Sequence, residues 1–276
     1  MARTAVLMRD DARLAVFESG QGLPVLFQHG LGGDEAQAAQ AFPDLEGLRR
    51  LTIECRGHGA SSLGSTRPFS IRMFAEDILV AATDRGIDRL VVGGISMGAA
   101  IALHLAHHHV ERVAALVLVR PAWTFTAAPD NLAPIRVVAD LIRSHPLDEA
   151  RTLFSNSEIA AHLRENAPDN LASLLGYFDR PDAAAFAEVL AGIAADGPEV
   201  SRATAAAFAI PTIVIGNKQD AIHPLPSAHV LAEIIPGASF VEVAAKATDK
   251  ARHFADVQEA IARFLASNTI RSLVTS

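Results

Sequence analysis

The chain has 276 residues, half of them hydrophobic, and its 24 basic and 31 acidic side chains give a net charge of −7. This length is compatible with one large α/β domain or with a core that carries an insertion, and the apolar half is ample for a sizeable core. The acidic balance, without any Lys/Arg block, argues against nucleic acid or an anionic membrane as a partner. The single cysteine, Cys55, cannot form an internal disulfide.

No segment has the pattern of a targeting or membrane-spanning sequence. The N-terminal stretch is interrupted by the charged residues Arg9, Asp10 and Asp11, so it lacks the apolar core of a signal peptide. The apolar run that begins at Val91 stops at His107, short of the roughly 20 residues that a transmembrane helix needs. We therefore expect a cytoplasmic protein that does not enter a membrane.

Strand-like runs alternate with helical patterns along the first part of the chain. The runs "TAVLM" and "RLAVFE" predict a hairpin around Asp10 and Asp11, and "PVLFQ" and "RLTIEC" predict two further strands. Residues 70–86 predict an amphipathic helix with Ser70 at its N-cap. Strand "RLVVGGI", helix "MGAAIALHLAHHH" and strand "RVAALVLV" follow. Apolar strands separated by helices are typical of a parallel sheet covered on both faces.

The alternation is interrupted after Val119. Residues 122–207 are alanine-rich and helical in pattern, with several proline breaks and no convincing strand. Strand "IPTIVIGN", helix "PSAHVLAEII", strand "ASFVEVA" and helix "DVQEAIARFLAS" then resume the pattern, and "NTIRSLVTS" is predicted to be a loose tail. We therefore predict an α/β core of residues 1–121 and 208–276 with a helical cap, residues 122–207, inserted between its halves.

One serine stands in the most apolar run of the chain. Gly94-Ile95-Ser96-Met97-Gly98 is a G-x-S-x-G sequence, and it lies between a predicted strand and a predicted helix. This is the context of a nucleophile elbow, in which the serine projects above the sheet at a sharp turn. An isolated motif of this kind also fits an ordinary tight turn with a capping serine, but the strand–helix context favours a nucleophile.

A serine nucleophile requires a base and an acid that orients it, expected in the chain order Ser, acid, His. Asp220 directly follows the strand "PTIVIGN", and His253 lies after the last predicted strand and just before the final helix. His223 and His229 come earlier, in and after the loop that follows "TIVIGN". We therefore predict Ser96, Asp220 and His253 as the catalytic set.

The segments "QHGLGG", "RGHGAS", "GISMG", "GNKQDAIHP" and "RHF" together resemble the α/β-hydrolase fold superfamily over nearly the whole chain. The resemblance implies a mostly parallel eight-stranded sheet flanked by helices. It also implies an oxyanion hole made by the backbone N–H groups of Leu31 and Met97. It implies no cofactor and no metal. The residue before the base is often glycine in this family, whereas here it is Arg252.

Three residues are candidates for the substrate pocket. Arg120 ends a strand at the carboxyl edge of the predicted sheet, where ligands bind in open α/β folds. It fits either a substrate carboxylate or a structural ion pair. Trp123 and Phe125, at the start of the predicted cap, either line the pocket or anchor the cap to the core.

The predicted reaction is hydrolysis of a small carboxylic ester or lactone through an acyl-enzyme. Two alternatives stay open at this point: hydrolysis of a carbon–carbon bond next to a carbonyl, and a ligand receptor built on the same fold. His104 and His108 have the i,i+4 spacing of a metal-binding pair, but we interpret this histidine run as a helix end favoured by the helix dipole.

Overall fold

A computed structural model describes residues 3–267 and residue 270. The strands are β1 (Arg3–Arg9), β2 (Ala12–Gly20), β3 (Leu23–Gln28), β4 (Leu48–Ile53), β5 (Leu90–Ile95), β6 (Val113–Val119), β7 (Thr212–Gly216) and β8 (Ser239–Glu242). The helices are α1 (Glu35–Ala41), α2 (Ile71–Asp84), α3 (Met97–His108), α4 (Ala133–Ser144), α5 (Leu147–Ser155), α6 (Glu158–Asn166), α7 (Pro168–Gly176), α8 (Ala183–Ala195), α9 (Arg202–Ala205), α10 (Leu225–Ile234) and α11 (Lys250–Leu265).

The eight strands form one sheet in the order β1-β2-β4-β3-β5-β6-β7-β8. Strand β2 pairs antiparallel with β1 and with β4, and the six remaining strands pair parallel. The predicted mostly parallel eight-stranded sheet is confirmed. All six parallel strands therefore end at one edge of the sheet, which collects the loops after β3, β5, β6 and β7.

The central strands are buried on both faces because each alternates between two apolar clusters. In β6, Leu116 and Leu118 belong to the cluster that includes α2 and α3, whereas Val117 and Val119 belong to the cluster that includes α1 and α11. This two-sided burial explains why the strand reads as an unbroken apolar run rather than as an alternating one.

The chain between β6 and β7, residues 120–211, is called the inserted segment here. It is described throughout and contains helices α4–α9 but no strand. Three of its side chains bond to loops at the carboxyl edge of the sheet: Asn170 to Asp220, Tyr177 to the Leu31 carbonyl, and Arg180 to the Gly57 carbonyl. The inserted segment therefore lies beside the edge where the parallel strands end.

The prediction of the last helix was wrong at its N-terminus. Helix α11 begins at Lys250, six residues before the predicted Asp256, because the Asp249 side chain accepts a hydrogen bond from the Arg252 amide and caps it. His253 consequently lies in the first turn of α11 rather than in a loop before it. The predicted tail from Asn268 falls outside the described residues except at Ile270. No helix in the described range is both long and apolar enough to cross a bilayer.

Trp123 packs as an anchor between the inserted segment and the core. Its side chain is buried in the cluster that contains α2 and α3, and its indole N–H donates to the Asp196 carbonyl at 2.9 Å. Phe125 is partly buried and packs against the same cluster. These contacts favour the anchoring interpretation of Trp123 over the pocket interpretation.

We expect Trp123→Leu to lower the free energy of unfolding by about 2–4 kcal/mol, because it removes the indole hydrogen bond and leaves a buried cavity. The measurement is urea unfolding followed by circular dichroism. Phe125→Leu, at a partly exposed neighbouring position, is the matched control and should cost less. Unchanged stability of the Trp123 variant, with an altered preference among substrates, would support the pocket interpretation instead.

Candidate active site

Ser96 lies at the sharp turn between β5 and α3. Its backbone has φ +55° and ψ −105°, a conformation that non-glycine residues rarely adopt. The turn is held on both sides: the Ser96 N–H donates to the Val119 carbonyl at 2.9 Å, and the Ser96 carbonyl accepts from the Ala99 amide at 3.0 Å. The strained serine predicted from the G-x-S-x-G sequence is therefore present at this junction.

The two glycines of the motif are required by close packing rather than by positive φ angles. A Cβ atom on Gly94 would lie 2.5 Å from the Gln28 carbonyl oxygen, and a Cβ atom on Gly98 would lie at the same distance from that oxygen. Such separations are far inside van der Waals contact, so any side chain at either position would push β5 and α3 away from β3. The glycines allow the turn to fit against the end of β3.

The loop after β3 lies directly beside Ser96. A Cβ atom on Gly30 would be 3.4 Å from the Cβ of Ser96, and the Gly30 amide donates to the Gln37 side chain at 2.7 Å. Leu31 and Met97, the two predicted oxyanion-hole residues, follow Gly30 and Ser96 in sequence. The Leu31 amide donates to no acceptor in the described part of the chain, and the Met97 amide opens α3, where no intrahelical acceptor exists.

His29 fixes the peptide plane that carries the Leu31 amide. Its Nε2 accepts from the Cys55 amide at 3.1 Å, so its Nδ1 carries the proton and donates to the Gly30 carbonyl at 2.8 Å. Burial lowers the pKa of His29 to about 4, which keeps the ring neutral and this tautomer in place. Because the carbonyl and N–H of a trans peptide point in opposite directions, holding the Gly30 carbonyl also orients the Leu31 N–H.

A small cavity of ≈ 80 Å³ lies next to Ser96. Its walls come from the loops at the carboxyl edge of the sheet and from the inserted segment. The lining residues are Gly30, Leu31, Gln37, Ile95, Ser96, Arg120, Ile135, Asn170, Ser173, Leu174, Tyr177, Ile222, His223 and Lys246. The predicted nucleophile, one predicted oxyanion residue and Arg120 thus meet at one cavity, whereas Trp123, Phe125 and His253 are absent from its described walls.

Asp220 is a buried carboxylate with donors on both oxygens. One oxygen accepts from the Arg120 guanidinium, with Nε at 2.7 Å and Nη2 at 2.5 Å. The other contacts the His223 ring at 2.8 Å and accepts from the Asn170 amide at 2.9 Å. Burial alone would raise the pKa of Asp220, but His223 and Arg120, through their charges and hydrogen bonds, hold it well below its usual range. Asp220 is therefore ionised at neutral pH.

His223 is the histidine that Asp220 orients. An ionised carboxylate can only accept, so the Nδ1 of His223 must donate to Asp220 and its Nε2 is left unprotonated in the neutral ring. Burial lowers the pKa of His223, an effect that Asp220 opposes and Arg120 reinforces. His223 and Ser96 line the same cavity, and a neutral, oriented imidazole is the state that a general base needs.

The predicted hydrogen bond between Asp220 and His253 is not formed. The Nδ1 of His253 contacts the Ala244 carbonyl at 2.8 Å, and both oxygens of Asp220 are occupied by other donors. Burial lowers the pKa of His253, and Asp220 exerts only a small opposing effect. The reason is the early start of α11: His253 is fixed on the first helical turn, with its ring satisfied by the chain just before that helix.

Arg120 and Lys246 bring positive charge to the cavity, and both have protein carboxylates as partners. Arg120 is nearly buried and pairs with Asp220, with Asp169 further away at 3.8 Å. Lys246 donates to Asp169 at 2.9 Å. The ion-pair interpretation of Arg120, one of the two left open by the sequence, therefore describes its observed contacts.

Sequence reasoning did not identify His223 and Asn170 as site residues. His223 follows Asp220 by three positions, a spacing that could have signalled the contact, but the expected place of the base after the last strand excluded it. Asn170 clamps the same loop: its carbonyl oxygen accepts from the Ala221 amide at 2.6 Å while its amide donates to Asp220. No sequence signal links it to Asp220, because it lies 50 residues away in α7.

A profile of the alpha/beta hydrolase fold matches residues 24–255. The chain belongs to the α/β-hydrolase fold family. Among curated proteins it is 25% identical to the AB hydrolase superfamily protein YisY of Bacillus subtilis, covering 82% of this chain and 87% of that protein. It is 28% identical to a 2-hydroxymuconate semialdehyde hydrolase of Pseudomonas putida, covering 82% and 80%. The enol-lactonase of Burkholderia xenovorans LB400 has a similar structure, with a TM-score of 0.68 at 23% identity over 99% of this chain and all of that one.

Removing Arg120, the ion-pair partner of Asp220, should destabilise the folded protein. We expect Arg120→Gln to lower the free energy of unfolding by about 3–5 kcal/mol at pH 7, because it leaves a buried carboxylate unpaired. The ion pair stabilises the wild type because the pKa of Asp220 is lower in the folded protein than in the unfolded chain. This stabilisation is present above the unfolded pKa of about 3.9 and declines as the pH falls below that value.

Urea unfolding of both proteins at pH 7 and at pH 3.5 measures this effect, and the difference between them should shrink in acid. The double variant Arg120→Gln/Asp220→Asn is the control and should cost less than the sum of the two single changes. Equal stability of Arg120→Gln and the wild type at pH 7 would contradict the assignment.

Proposed function

We propose that this protein is a serine hydrolase that cleaves a small-molecule carboxylic ester or lactone through an acyl-enzyme. The observation that carries the proposal is the strained Ser96 at the β5–α3 turn, facing a cavity that it shares with His223, which is itself bonded to the buried carboxylate of Asp220. Membership of a hydrolase family supports the same reaction, as does Leu31, which lines the cavity and whose amide has no acceptor among the described residues.

In the proposed mechanism His223 replaces His253 as the base. The unprotonated Nε2 of His223 takes the Ser96 hydroxyl proton as the oxygen attacks the substrate carbonyl. Asp220 holds the ring in the required tautomer and stabilises the imidazolium that forms. Arg120 and Asn170 keep the Asp220 carboxylate in place, so they act as positioning residues rather than as catalytic ones.

The developing oxyanion is stabilised by the backbone N–H groups of Leu31 and Met97. One such donor is worth roughly 10²–10³ in rate when it is aimed at the charge in advance. The His223 imidazolium then protonates the leaving alcohol, and a water molecule, deprotonated by the same ring, hydrolyses the acyl-enzyme. This sequence needs no cofactor and no metal.

A second candidate is hydrolysis of a carbon–carbon bond next to a carbonyl, which can use the same residues. The observation that favours it is the 28% identity to a 2-hydroxymuconate semialdehyde hydrolase. Incubation with 2-hydroxymuconate semialdehyde and with p-nitrophenyl acetate, each followed by product analysis, distinguishes the two. The faster of the two reactions shows whether the protein is an ester hydrolase or a carbon–carbon bond hydrolase. Fluorophosphonate labelling of Ser96 without turnover of any substrate would instead support a ligand receptor.

We expect His223→Gln to lower kcat/KM for p-nitrophenyl acetate by about 10²–10⁴, the usual contribution of a general base. His253→Gln should change kcat/KM only a few-fold, because its ring is bonded to the Ala244 carbonyl and not to Asp220. Ser96→Ala should abolish both turnover and fluorophosphonate labelling. Thermal unfolding of each variant controls for loss of structure.

The two histidine variants form a matched pair, since His253 is buried and His223 nearly so, and each residue follows one of the last two parallel strands. Loss of activity in His253→Gln with retention in His223→Gln would restore the triad predicted from the sequence. Full activity in both variants would remove histidine from the mechanism altogether.

The cavity also predicts the size of the acyl group. Its ≈ 80 Å³ is well below the about 300–1,000 Å³ of pockets for drug-sized ligands. We propose that the inserted segment acts as a cap that restricts access to Ser96. Among p-nitrophenyl esters, kcat/KM should be highest for acetate or propionate and fall by at least about tenfold at octanoate, since each methylene excluded from the pocket costs roughly 1 kcal/mol or more.

Leu174→Ala removes side-chain atoms from the part of the cavity wall that α7 contributes. The cavity becomes larger, so the substrate optimum should move towards longer acyl chains. Ile142→Ala, a buried position of the inserted segment that does not line the cavity, is the control for general loosening. A wild-type optimum at long acyl chains would overturn the size assignment without affecting the roles of Ser96 and His223.

A further inference from the structure

Two histidines and a glutamate meet at the far end of the helix that begins after Ser96. His104 and His108 lie one turn apart on α3, with ring centroids 4.3 Å apart. The Glu199 carboxylate, from the chain between α8 and α9, lies 3.5 Å from Nδ1 of His104 and 3.6 Å from Nε2 of His108. One potential ligand atom from each side chain lies within 4.8 Å of the other two.

These separations are too long for good hydrogen bonds but suit a shared metal ion. A good N–H···O bond has a donor–acceptor distance of about 2.7–3.2 Å, and neither histidine is hydrogen-bonded to Glu199. Around a tetrahedral Zn²⁺ with bonds of about 2.1 Å, neighbouring ligand atoms are about 3.4 Å apart. Two of the three edges of such a site are therefore already close to the required length.

His104 is the buried member of the cluster. Its side chain is 1% exposed, and its Nδ1 lies 3.2 Å from the Pro198 carbonyl. Because a carbonyl oxygen only accepts, this hydrogen bond places the ring proton on Nδ1. Ligation through Nδ1 would move that proton to Nε2 and replace the hydrogen bond to Pro198 with a bond to the metal.

The backbone holds the third group in an unfavourable conformation. Glu199 has φ +56°, in the left-handed region that a non-glycine residue adopts at some cost. In this conformation the carboxylate lies 3.5 Å from a ring nitrogen of His104 and 3.6 Å from one of His108. Glu199 itself is half exposed to solvent, so apolar burial does not account for its position.

We propose that His104, His108 and Glu199 form a binding site for Zn²⁺ or a similar divalent transition metal, with water in the fourth position. Two imidazoles and one carboxylate suit zinc, whereas Mg²⁺ and Ca²⁺ prefer oxygen ligands alone. The sequence analysis predicted no metal because it interpreted the histidine run as a helix end favoured by the dipole. The third group, Glu199, lies 91 positions beyond His108 in the sequence.

The site would join α3 to the end of the inserted segment and would not take part in the chemistry. His104 follows Ser96 by eight positions, about 12 Å along the helix axis, and none of the three ligands lines the cavity. A bound metal would therefore stabilise the return of the inserted segment to the core without contacting the substrate.

Titration of the full chain, prepared without a polyhistidine tag, with Zn²⁺ by isothermal calorimetry tests the proposal. The wild type should bind one equivalent and unfold at a higher temperature with Zn²⁺ than with Mg²⁺. His108→Ala and Glu199→Gln, both at exposed positions that tolerate substitution, should each weaken binding by at least about tenfold, since each removes one of three ligands.

His107→Ala is the matched control, because this exposed histidine precedes His108 but does not contact Glu199; it should bind Zn²⁺ as the wild type does. Cobalt in place of zinc should give the strong visible absorption of a four-coordinate ion, and this absorption should be lost in Glu199→Gln. Equal Zn²⁺ affinity in the wild type, His108→Ala and Glu199→Gln would overturn the proposal, as would equal stabilisation by Mg²⁺.

Discussion

The close packing of the β5–α3 turn against the end of β3 is the constraint on which the rest of the site depends. Gly94 and Gly98 both lie against the Gln28 carbonyl, where even a methyl group would clash. The turn passes there with Ser96 in a strained backbone conformation, which a hydrogen bond to the Val119 carbonyl holds in place. Because β3 continues into the loop with Gly30 and Leu31, the same contact brings that loop beside Ser96.

The fold could be predicted from the sequence because its signals are local. Continuous apolar strands such as β6, the Ser70 cap of α2 and the glycines around Ser96 each report on their own segment, and all indicate one parallel sheet. The hydrogen-bond partner of Asp220 depends instead on where α11 begins. The Asp249 cap starts that helix before His253, whose ring is bonded to the Ala244 carbonyl, and Asp220 is bonded to His223.

Contacts distant in sequence account for the other features that the sequence did not reveal. His223 and Arg120 hold the pKa of the buried Asp220 low, and Arg120, which directly follows β6, lies 100 positions from it in the chain. Asn170, from α7, donates to the same carboxylate. Burial of a carboxylate without nearby positive charge or donors raises its pKa. Neither Arg120 nor Asn170 belongs to a recognisable sequence motif. Each is a site residue only because the fold brings its donor group to the Asp220 loop from another part of the chain.

The inserted segment therefore contributes residues to the candidate site in addition to its proposed role as a cap. Asn170 clamps the Asp220 loop, Tyr177 donates to the Leu31 carbonyl, and Asp169 holds Lys246 at the cavity wall. Each of these bonds ends on a loop at the carboxyl edge of the sheet, so a movement of α7 that widened the cavity would also release groups that orient the proposed base and oxyanion amide. In the proposed mechanism, access to Ser96 and the arrangement of the proposed base and oxyanion amide are therefore coupled. A substrate that forced α7 outward would meet a less organised site, so the proposed preference for small acyl groups would have a cause in rate as well as in space.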